Sequence, residues 1–124
     1  MTNKASLEIE SALRQFTGTE HYYRANGNLV VTDGVKFLAD EAKCYWLLDL
    51  YASHLIGIHG EQESFTVLKL TRVSAAGAKV VIEDGNGNHL AQQHIEYTDF
   101  PLESITLYGV WDGSMWIVML TSEY

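Results

Sequence analysis

The feature that most constrains the fold is a series of five strand candidates in the C-terminal half of the chain, separated by turn signals at regular spacing. The separating segments are rich in Gly, Asp and Asn, and they include Asp84-Gly85-Asn86-Gly87-Asn88 and Asp112-Gly113. Short strands with turn residues between them are typical of antiparallel sheets whose neighbours follow one another along the chain. The candidates are residues 65–72, 78–83, 89–97, 104–111 and 114–121.

Two amphipathic segments precede these strands. Apolar residues at helical spacing over about 4–16 predict a first helix, which ends at Thr17-Gly18. Asp33 is a suitable N-cap, and an apolar stripe from Gly34 to about His54 predicts one long, buried central helix. Between the two helices, residues 21–24 and 29–31 flank Asn26-Gly27, a strong signal for a two-residue hairpin turn.

The element order predicts an α+β fold. Helices in one block and strands in another favour an antiparallel sheet with helices on one face. We therefore expect the 124 residues to form a single domain: a meander of about five strands, a long central helix, an N-terminal helix and a small N-terminal hairpin.

The last predicted hairpin is apolar on both sides. A two-residue turn at Asp112-Gly113 pairs Gly109 with Trp116, and side chains alternate between the faces of a strand. Ile105, Leu107, Trp116, Val118 and Leu120 then share one face, whereas Tyr108, Val110, Met115, Ile117 and Met119 share the other. One helical layer covers only one face, so we expect another chain, either a homodimer mate or a target, to bury part of the second.

The charge of the chain is unevenly distributed. Residues 80–124 contain seven acids and no Lys or Arg, and they supply most of the formal net charge of −8. Phosphate backbones are bound by Lys and Arg, so this half of the chain is not expected to bind nucleic acid directly. The single cysteine, Cys44, allows no internal disulfide, and no apolar run approaches the ~18 residues of a membrane span. We therefore expect a cytoplasmic protein with no membrane contact.

No motif for catalysis, metal or cofactor binding stands out. Asp84-Gly85-Asn86-Gly87-Asn88 begins like a calcium loop, but His89 and Ile95 occupy the positions where such a loop needs Gly and Glu. Neither of the His pairs five residues apart has a metal-ligand spacing. Cys44 lies in an apolar segment, which favours an inert thiol. We predict no catalytic residue, no metal ligand and no cofactor.

Tyr22, Tyr23 and Arg24 resemble a platform for stacking bases and contacting phosphates. A single Arg supplies little positive charge, however, and alternate tyrosines of a strand often pack inward. Direct nucleic-acid binding is therefore not expected here either.

Several stretches resemble a family of small uncharacterised bacterial proteins found mostly in genomes carrying plasmids, prophages and other mobile elements. The stretches that carry the resemblance are residues 32–38, 45–49, 52–54, 97–102, Leu107-Tyr108 and 122–124. The resemblance implies no activity, cofactor or site residue. It implies a setting, an accessory gene of mobile DNA, in which interaction or counter-defence is favoured over housekeeping catalysis.

These observations favour a non-catalytic, acidic protein-interaction module. The expected partner is a protein with a basic surface, and a concrete version is an anti-CRISPR or other anti-defence inhibitor of a nucleic-acid-handling host protein. The alternative is a small enzyme or small-ligand-binding domain whose pocket is lined by Tyr22, Tyr45, His54 and Tyr97. The predicted partner-binding residues are Glu96, Asp99, Glu103, Tyr108, Val110, Asp112, Met115, Ile117 and Met119.

Overall fold

The computed structural model describes residues 4–25 and 27–124. Over these residues the chain has three α-helices, seven strands in one sheet and a short 3₁₀ helix. The elements are α1 (Lys4–Leu13), β1 (Tyr22–Arg24), β2 (Leu29–Thr32), α2 (Asp33–Glu41), α3 (Tyr45–Leu55), β3 (Phe65–Arg72), β4 (Ala78–Glu83), β5 (His89–Ile95), β6 (Ser104–Trp111), β7 (Trp116–Leu120) and the 3₁₀ helix Thr121–Glu123.

The prediction of one long central helix is wrong, because the segment is two helices, α2 and α3. Lys43 between them has a φ of 54°, in the left-handed region that continues no right-handed helix. The amide of Cys44 then donates to the carbonyl of Ala39, and α3 begins at the next residue. Both helices bury apolar residues in the same core, so the apolar pattern continues through the break and hides it.

The sheet also differs from the predicted antiparallel meander of about five strands. It has seven strands in the order β1-β2-β7-β6-β3-β4-β5, and it is mixed, because β2 and β7 are parallel whereas the other neighbours are antiparallel. β6 lies beside β3 and not beside β5, which precedes it in the chain.

The small N-terminal hairpin, predicted as a separate element, is part of this sheet through the pairing of β2 with β7. Asn26, half of its predicted turn, lies outside the described residues. Gly27 has a φ of 62°, a conformation that glycine adopts without steric cost.

The predicted register of the last hairpin is wrong by two residues. Gly109 pairs with Val118, and Trp111 pairs with Trp116, so the connection between the strands spans 112–115. The Asp112 carboxylate holds this loop by accepting hydrogen bonds from the backbone amides of Ser114 and Met115. A shift of two residues leaves every strand side chain on the same face. The predicted division into two faces is therefore confirmed for the residues of β6 and β7, whereas Met115 lies in the connection between these strands.

The sheet has a core face and an open face. Leu68, Leu107 and Val118 on the core face are fully buried. The helices meet the sheet on this side, where Tyr51 of α3 contacts Thr66 and Gly34 of α2 lies against Leu120. On the opposite face, Tyr108, Val110, Ile117 and Met119 are only half-buried, and this side is called the open face below.

Candidate functional site

Four of the five apolar residues predicted to contact a partner fall on the open face, and the fifth, Met115, lies in the connection between β6 and β7. Val110 and Ile117 are paired across β6 and β7, and so are Tyr108 and Met119. β2 and β3 extend the same rows, since Val30 is paired with Ile117 and Phe65 with Val110. Pairs directly opposite one another in a sheet share a face. The result is an apolar surface across four strands, called the apolar patch below: the half-buried Phe65, Tyr108, Val110, Ile117 and Met119, with the buried Val30 and Val67 between and beside them.

The C-terminal segment lies over one edge of the apolar patch. The ring of Tyr124 meets the rings of Phe65 and Tyr108 edge to face, at centroid distances of 5.3 and 5.4 Å. Glu123 fixes this segment, because its carboxylate accepts hydrogen bonds from the Thr32 hydroxyl at 2.6 Å and from the Gly34 amide at 3.1 Å. Tyr124 remains 70% exposed, so it extends the aromatic surface without closing it.

The four acids predicted at the partner site are separated by the length of β6. Glu103 directly precedes this strand and Asp112 directly follows it, so their backbones are roughly 30 Å apart at ~3.3 Å per residue. Glu96 and Asp99 lie in the connection before β6, on the Glu103 side. The acids therefore lie beyond both ends of the strand that carries Tyr108 and Val110.

The other half of the open face is polar. Lys69 and Glu83 form an ion pair at 2.8 Å, and Lys79 lies opposite His94 on the neighbouring strand. The strand residues of the open face thus include two lysines, Lys69 and Lys79, although the chain as a whole carries −8.

The residues of the predicted alternative pocket do not converge. Tyr45 donates a hydrogen bond to Asp40 beside Lys36, on the surface of α2. His54 pairs with Gln93 of β5 at 3.0 Å. Tyr22 lies on the short strand β1, 58% exposed, and Tyr97 is 79% exposed in the connection after β5. None of these four lines the cleft described next or the two smaller clefts at Arg72–Ala75 and beside Phe37.

A cleft of about 510 Å³ lies elsewhere, between the C-terminal end of α3 with the segment that follows it, the start of β2, and the turn end of the last hairpin. This volume is within the range of ~300–1,000 Å³ that small-molecule sites occupy. No sequence pattern predicted it, because its walls come from three separate parts of the chain. They are Gly27, Asn28 and Leu29; Ala52, Leu55, Ile56, Ile58, His59, Gly60 and Glu61; and Trp111 and Trp116.

Two tryptophans form the aromatic wall of this cleft. Trp111 and Trp116 are cross-strand neighbours with ring centroids 5.4 Å apart. Gly60 lies directly on the Trp111 indole, where a Cβ atom would come within 2.2 Å of the ring. Only glycine allows this approach. The Trp111 Nε1 is buried and has no hydrogen-bond partner.

The Cys44 thiol and the Asp84 carboxylate, two further groups considered in the sequence, have structural roles. Cys44 is 1% exposed, and burial raises the pKa of its thiol to about 12. The Asp84 carboxylate accepts hydrogen bonds from the Asn88 side-chain amide and from the backbone amides of Asn86 and Asn88, and these hydrogen bonds lower its pKa. Within residues 4–25 and 27–124, no group of three or more His, Cys, Asp or Glu side chains could hold a metal ion.

Among the described helices, none is both long and apolar enough to cross a membrane.

These features define an α+β protein with a mixed sheet, one open apolar face and a separate aromatic cleft. The chain belongs to a family of unknown function, DUF6876, whose profile matches residues 7–124. No curated protein and no solved structure matches the chain.

Proposed function

We propose that this chain is a non-catalytic interaction module that binds a protein partner through the apolar patch of its open face. The observation that carries the proposal is the one-sided covering of the sheet. The helices pack on the core face, while Tyr108, Val110, Ile117 and Met119 stay half-exposed on the other. Contiguous apolar surface of this kind is typical of contact sites between proteins.

The composition of the patch suits a docking surface. Aromatic residues and Met are enriched at the centres of interfaces, and the patch with the adjoining C-terminal segment presents Phe65, Tyr108 and Tyr124 beside Met119. The unbranched Met119 side chain can adapt to an irregular partner surface.

The charge distribution favours a partner with a basic surface. Glu103 and Asp112 lie at opposite ends of β6, so a partner seated across Tyr108 and Val110 would meet acids at both margins. The formal net charge of −8 adds a long-range attraction for basic proteins, which raises association rates more than it raises affinity.

The finer version of the proposal concerns the identity of the partner. The resemblance to small proteins of plasmids and prophages supports a nucleic-acid-handling host protein, inhibited by acids placed where it expects phosphates. An anti-CRISPR or other anti-defence role is the concrete form. Addition of the protein should then release nucleic acid from the partner in a competition assay, whereas co-binding of both would contradict this version.

The experiment that tests the docking surface is capture from host lysate with matched variants. Ile117→Asp places a charge in the apolar patch, and Thr106→Asp places the same charge on the polar half of the open face, beside Lys69. The expected result is that Ile117→Asp stays folded and loses the captured protein, whereas Thr106→Asp retains it. Equal capture by both folded variants would show that the patch is not the docking surface.

Two further measurements, of salt dependence and of self-association, test which molecule occupies the patch. If the acids contribute to partner binding, the affinity should fall steeply between low and high ionic strength, since exposed charges are screened over ~10 Å at 0.1 M salt. Sedimentation of the purified protein tests whether the occupant of the patch is instead a second copy of the chain. A dimer that Ile117→Asp dissociates would replace the heterologous partner with a homodimer mate.

A further inference from the structure

The loop between β4 and β5 contains a pair of residues that the docking surface does not use. Asn86 and Gly87 lie in the middle of this loop, and both are exposed. An asparagine followed by glycine is the pair most prone to lose its side-chain amide, because glycine leaves the next backbone nitrogen open to attack the side chain. In a folded protein the reaction then depends on how firmly the surrounding loop holds that side chain.

Four Asp-Gly or Asn-Gly pairs lie within the described residues, and three of them are held by hydrogen bonds. The carboxylates of Asp33, Asp84 and Asp112 each accept hydrogen bonds from two backbone amides. Asn86 is the exception. Within residues 4–25 and 27–124, its side chain makes no hydrogen bond, and neither does the backbone amide of Gly87.

Asn88, two residues further on, provides an internal comparison. Its side-chain amide donates to the Asp84 carboxylate at 2.7 Å, and its backbone amide donates to the same carboxylate at 3.0 Å. The residue after it, His89, carries a side chain and begins β5. Asn88 is therefore held in place and followed by a bulky residue, whereas Asn86 is neither.

The backbone on both sides of Asn86 is glycine. Gly85 and Gly87 have φ values of 87° and 89°, which glycine adopts without steric cost. A Cβ atom at Gly87 would meet no heavy atom of the surrounding fold within 4 Å. No packing therefore restricts the approach of the Gly87 nitrogen to the Asn86 side chain.

We propose that Asn86 is a site of spontaneous deamidation in the folded protein. The Gly87 nitrogen gives up its proton to hydroxide and attacks the side-chain carbonyl carbon of Asn86. The new N–C bond closes a five-membered succinimide ring, while the Nδ2 group takes up a proton and leaves as ammonia. Water then opens the ring at either carbonyl carbon and leaves an aspartate or an isoaspartate at position 86. The net change is the exchange of ammonia for water.

The new carboxylate lies beside the apolar patch. Gly85 of the same loop is packed against Phe65, since a Cβ atom there would come within 2.8 Å of the Phe65 ring, and Phe65 belongs to the patch. Conversion adds one negative charge to the formal −8, and the isoaspartate form also lengthens the loop backbone by one carbon atom. The reaction thus changes the charge and shape of one margin of the patch, and its chemistry does not depend on what the patch binds.

The test is incubation of the folded protein in mildly alkaline H₂¹⁸O, followed by digestion in ordinary water and mass spectrometry. The ¹⁸O label marks conversion during the incubation and not during digestion. Cleavage after Glu83 and Glu96 gives one peptide that contains both Asn86 and Asn88. The chain's other Asn-Gly pair begins at Asn26, outside the described residues, and falls in a different peptide.

The expected result is labelled aspartate and isoaspartate at position 86, formed at a rate that rises in proportion to hydroxide. Asn88 should convert at least roughly tenfold more slowly, the effect on a rate of first breaking one hydrogen bond. The urea-unfolded chain is the positive control. Label at position 86 in the unfolded chain but not in the folded protein would overturn the proposal, and so would equal rates at Asn86 and Asn88 in the folded protein.

Two variants test the cause of the selectivity. Asn86→Gln should abolish the label at position 86, because glutamine would have to close a less favourable six-membered ring. Asp112→Asn creates another Asn-Gly pair, whose side-chain oxygen keeps the hydrogen bonds from the Ser114 and Met115 amides. Position 112 should therefore convert at least roughly tenfold more slowly than Asn86. Label that persists in Asn86→Gln, or equal rates at positions 112 and 86 in folded Asp112→Asn, would contradict the proposal.

Discussion

The Tyr51 hydroxyl of α3 lies 2.6 Å from the Thr66 hydroxyl of β3, and both side chains are fully buried. Thr66 donates in turn to the Gly109 carbonyl at 3.2 Å, so Tyr51 is the donor of the first hydrogen bond. A Cβ atom on Gly109 would come within 2.6 Å of the Tyr51 oxygen and 2.7 Å of the Thr66 oxygen. The absence of a side chain at Gly109 therefore lets α3 anchor on the sheet through two hydroxyl groups.

Gly109→Ala should lower the free energy of unfolding by about 1–3 kcal/mol, the usual cost of overpacking a core. Gly18→Ala is a suitable control, because a Cβ at that position meets nothing within 4 Å. The measurement is urea unfolding of both variants. In the Gly109→Ala background, Tyr51→Phe should recover part of the loss by removing one of the two oxygens. A Gly109→Ala protein as stable as the Gly18→Ala protein would contradict this packing.

Lys43→Gly should raise the free energy of unfolding by roughly 1 kcal/mol. The φ of 54° at Lys43 puts a β-carbon in the left-handed region, which costs L-residues about 1–2 kcal/mol, and glycine avoids much of this cost. Lys43→Ala removes the same charge but keeps the β-carbon, so it should give no gain. Equal midpoints of thermal unfolding for the two variants would show that the break between α2 and α3 is unstrained.

Glu123→Ala should lower the free energy of unfolding by about 1–3 kcal/mol, because buried or half-buried donors then lose their acceptor. The affected donors are the Thr32 hydroxyl, the Gly34 amide and the Leu120 amide at 2.9 Å. Ser122→Ala, at the exposed neighbouring position, is the control and should unfold like the wild type. The ring of Tyr124 should also lose its fixed contact with Tyr108 in Glu123→Ala, which an increase in tyrosine mobility by NMR would report.

The protein should lose stability as the pH rises above about 9. Burial raises the pKa of Cys44 to about 12 and raises the pKa of Tyr51 as well, while both groups ionise nearer their ordinary values in the unfolded chain. Between the unfolded and folded pKa values the unfolded state binds fewer protons, so the free energy of unfolding falls by about 1.4 kcal/mol per pH unit and group. Cys44→Ala should flatten the slope between pH 9 and 10, measured by urea unfolding, and an unchanged slope would contradict a protonated buried thiol.

The strands were predictable because their limits depend on local residues. The predicted ranges 65–72, 78–83 and 104–111 coincide with β3, β4 and β6, each bounded by turn residues such as Asp84 or Asp112. The assignment of strand residues to the two faces of the last hairpin was correct although the predicted register was wrong by two residues, because side chains alternate with a period of two. Four of the five apolar residues of the predicted partner surface, Tyr108, Val110, Ile117 and Met119, therefore fall together on one side of the sheet.

The cleft was not predictable, because its lining residues are far apart in the chain. Leu29, Leu55 and Trp111 belong to a strand, a helix and another strand, and no spacing along the sequence links them. The one lining residue with an unusual steric requirement is Gly60, a glycine in the segment between α3 and β3. In the structure the same glycine allows the loop to lie directly on Trp111.

The sequence by itself determined the α and β segments, the alternation of the strands and the apolar second face of the last hairpin, since each depends on neighbours within one element. Tertiary structure alone decided the parallel pairing of β2 with β7, the position of β6 beside β3 and the break at Lys43. Strand pairing is set by how distant segments bury their apolar faces in one core, and the left-handed Lys43 lets two successive helices bury residues in that same core. The intrinsic helix and strand propensities of the residues predict neither the strand pairing nor the helix break.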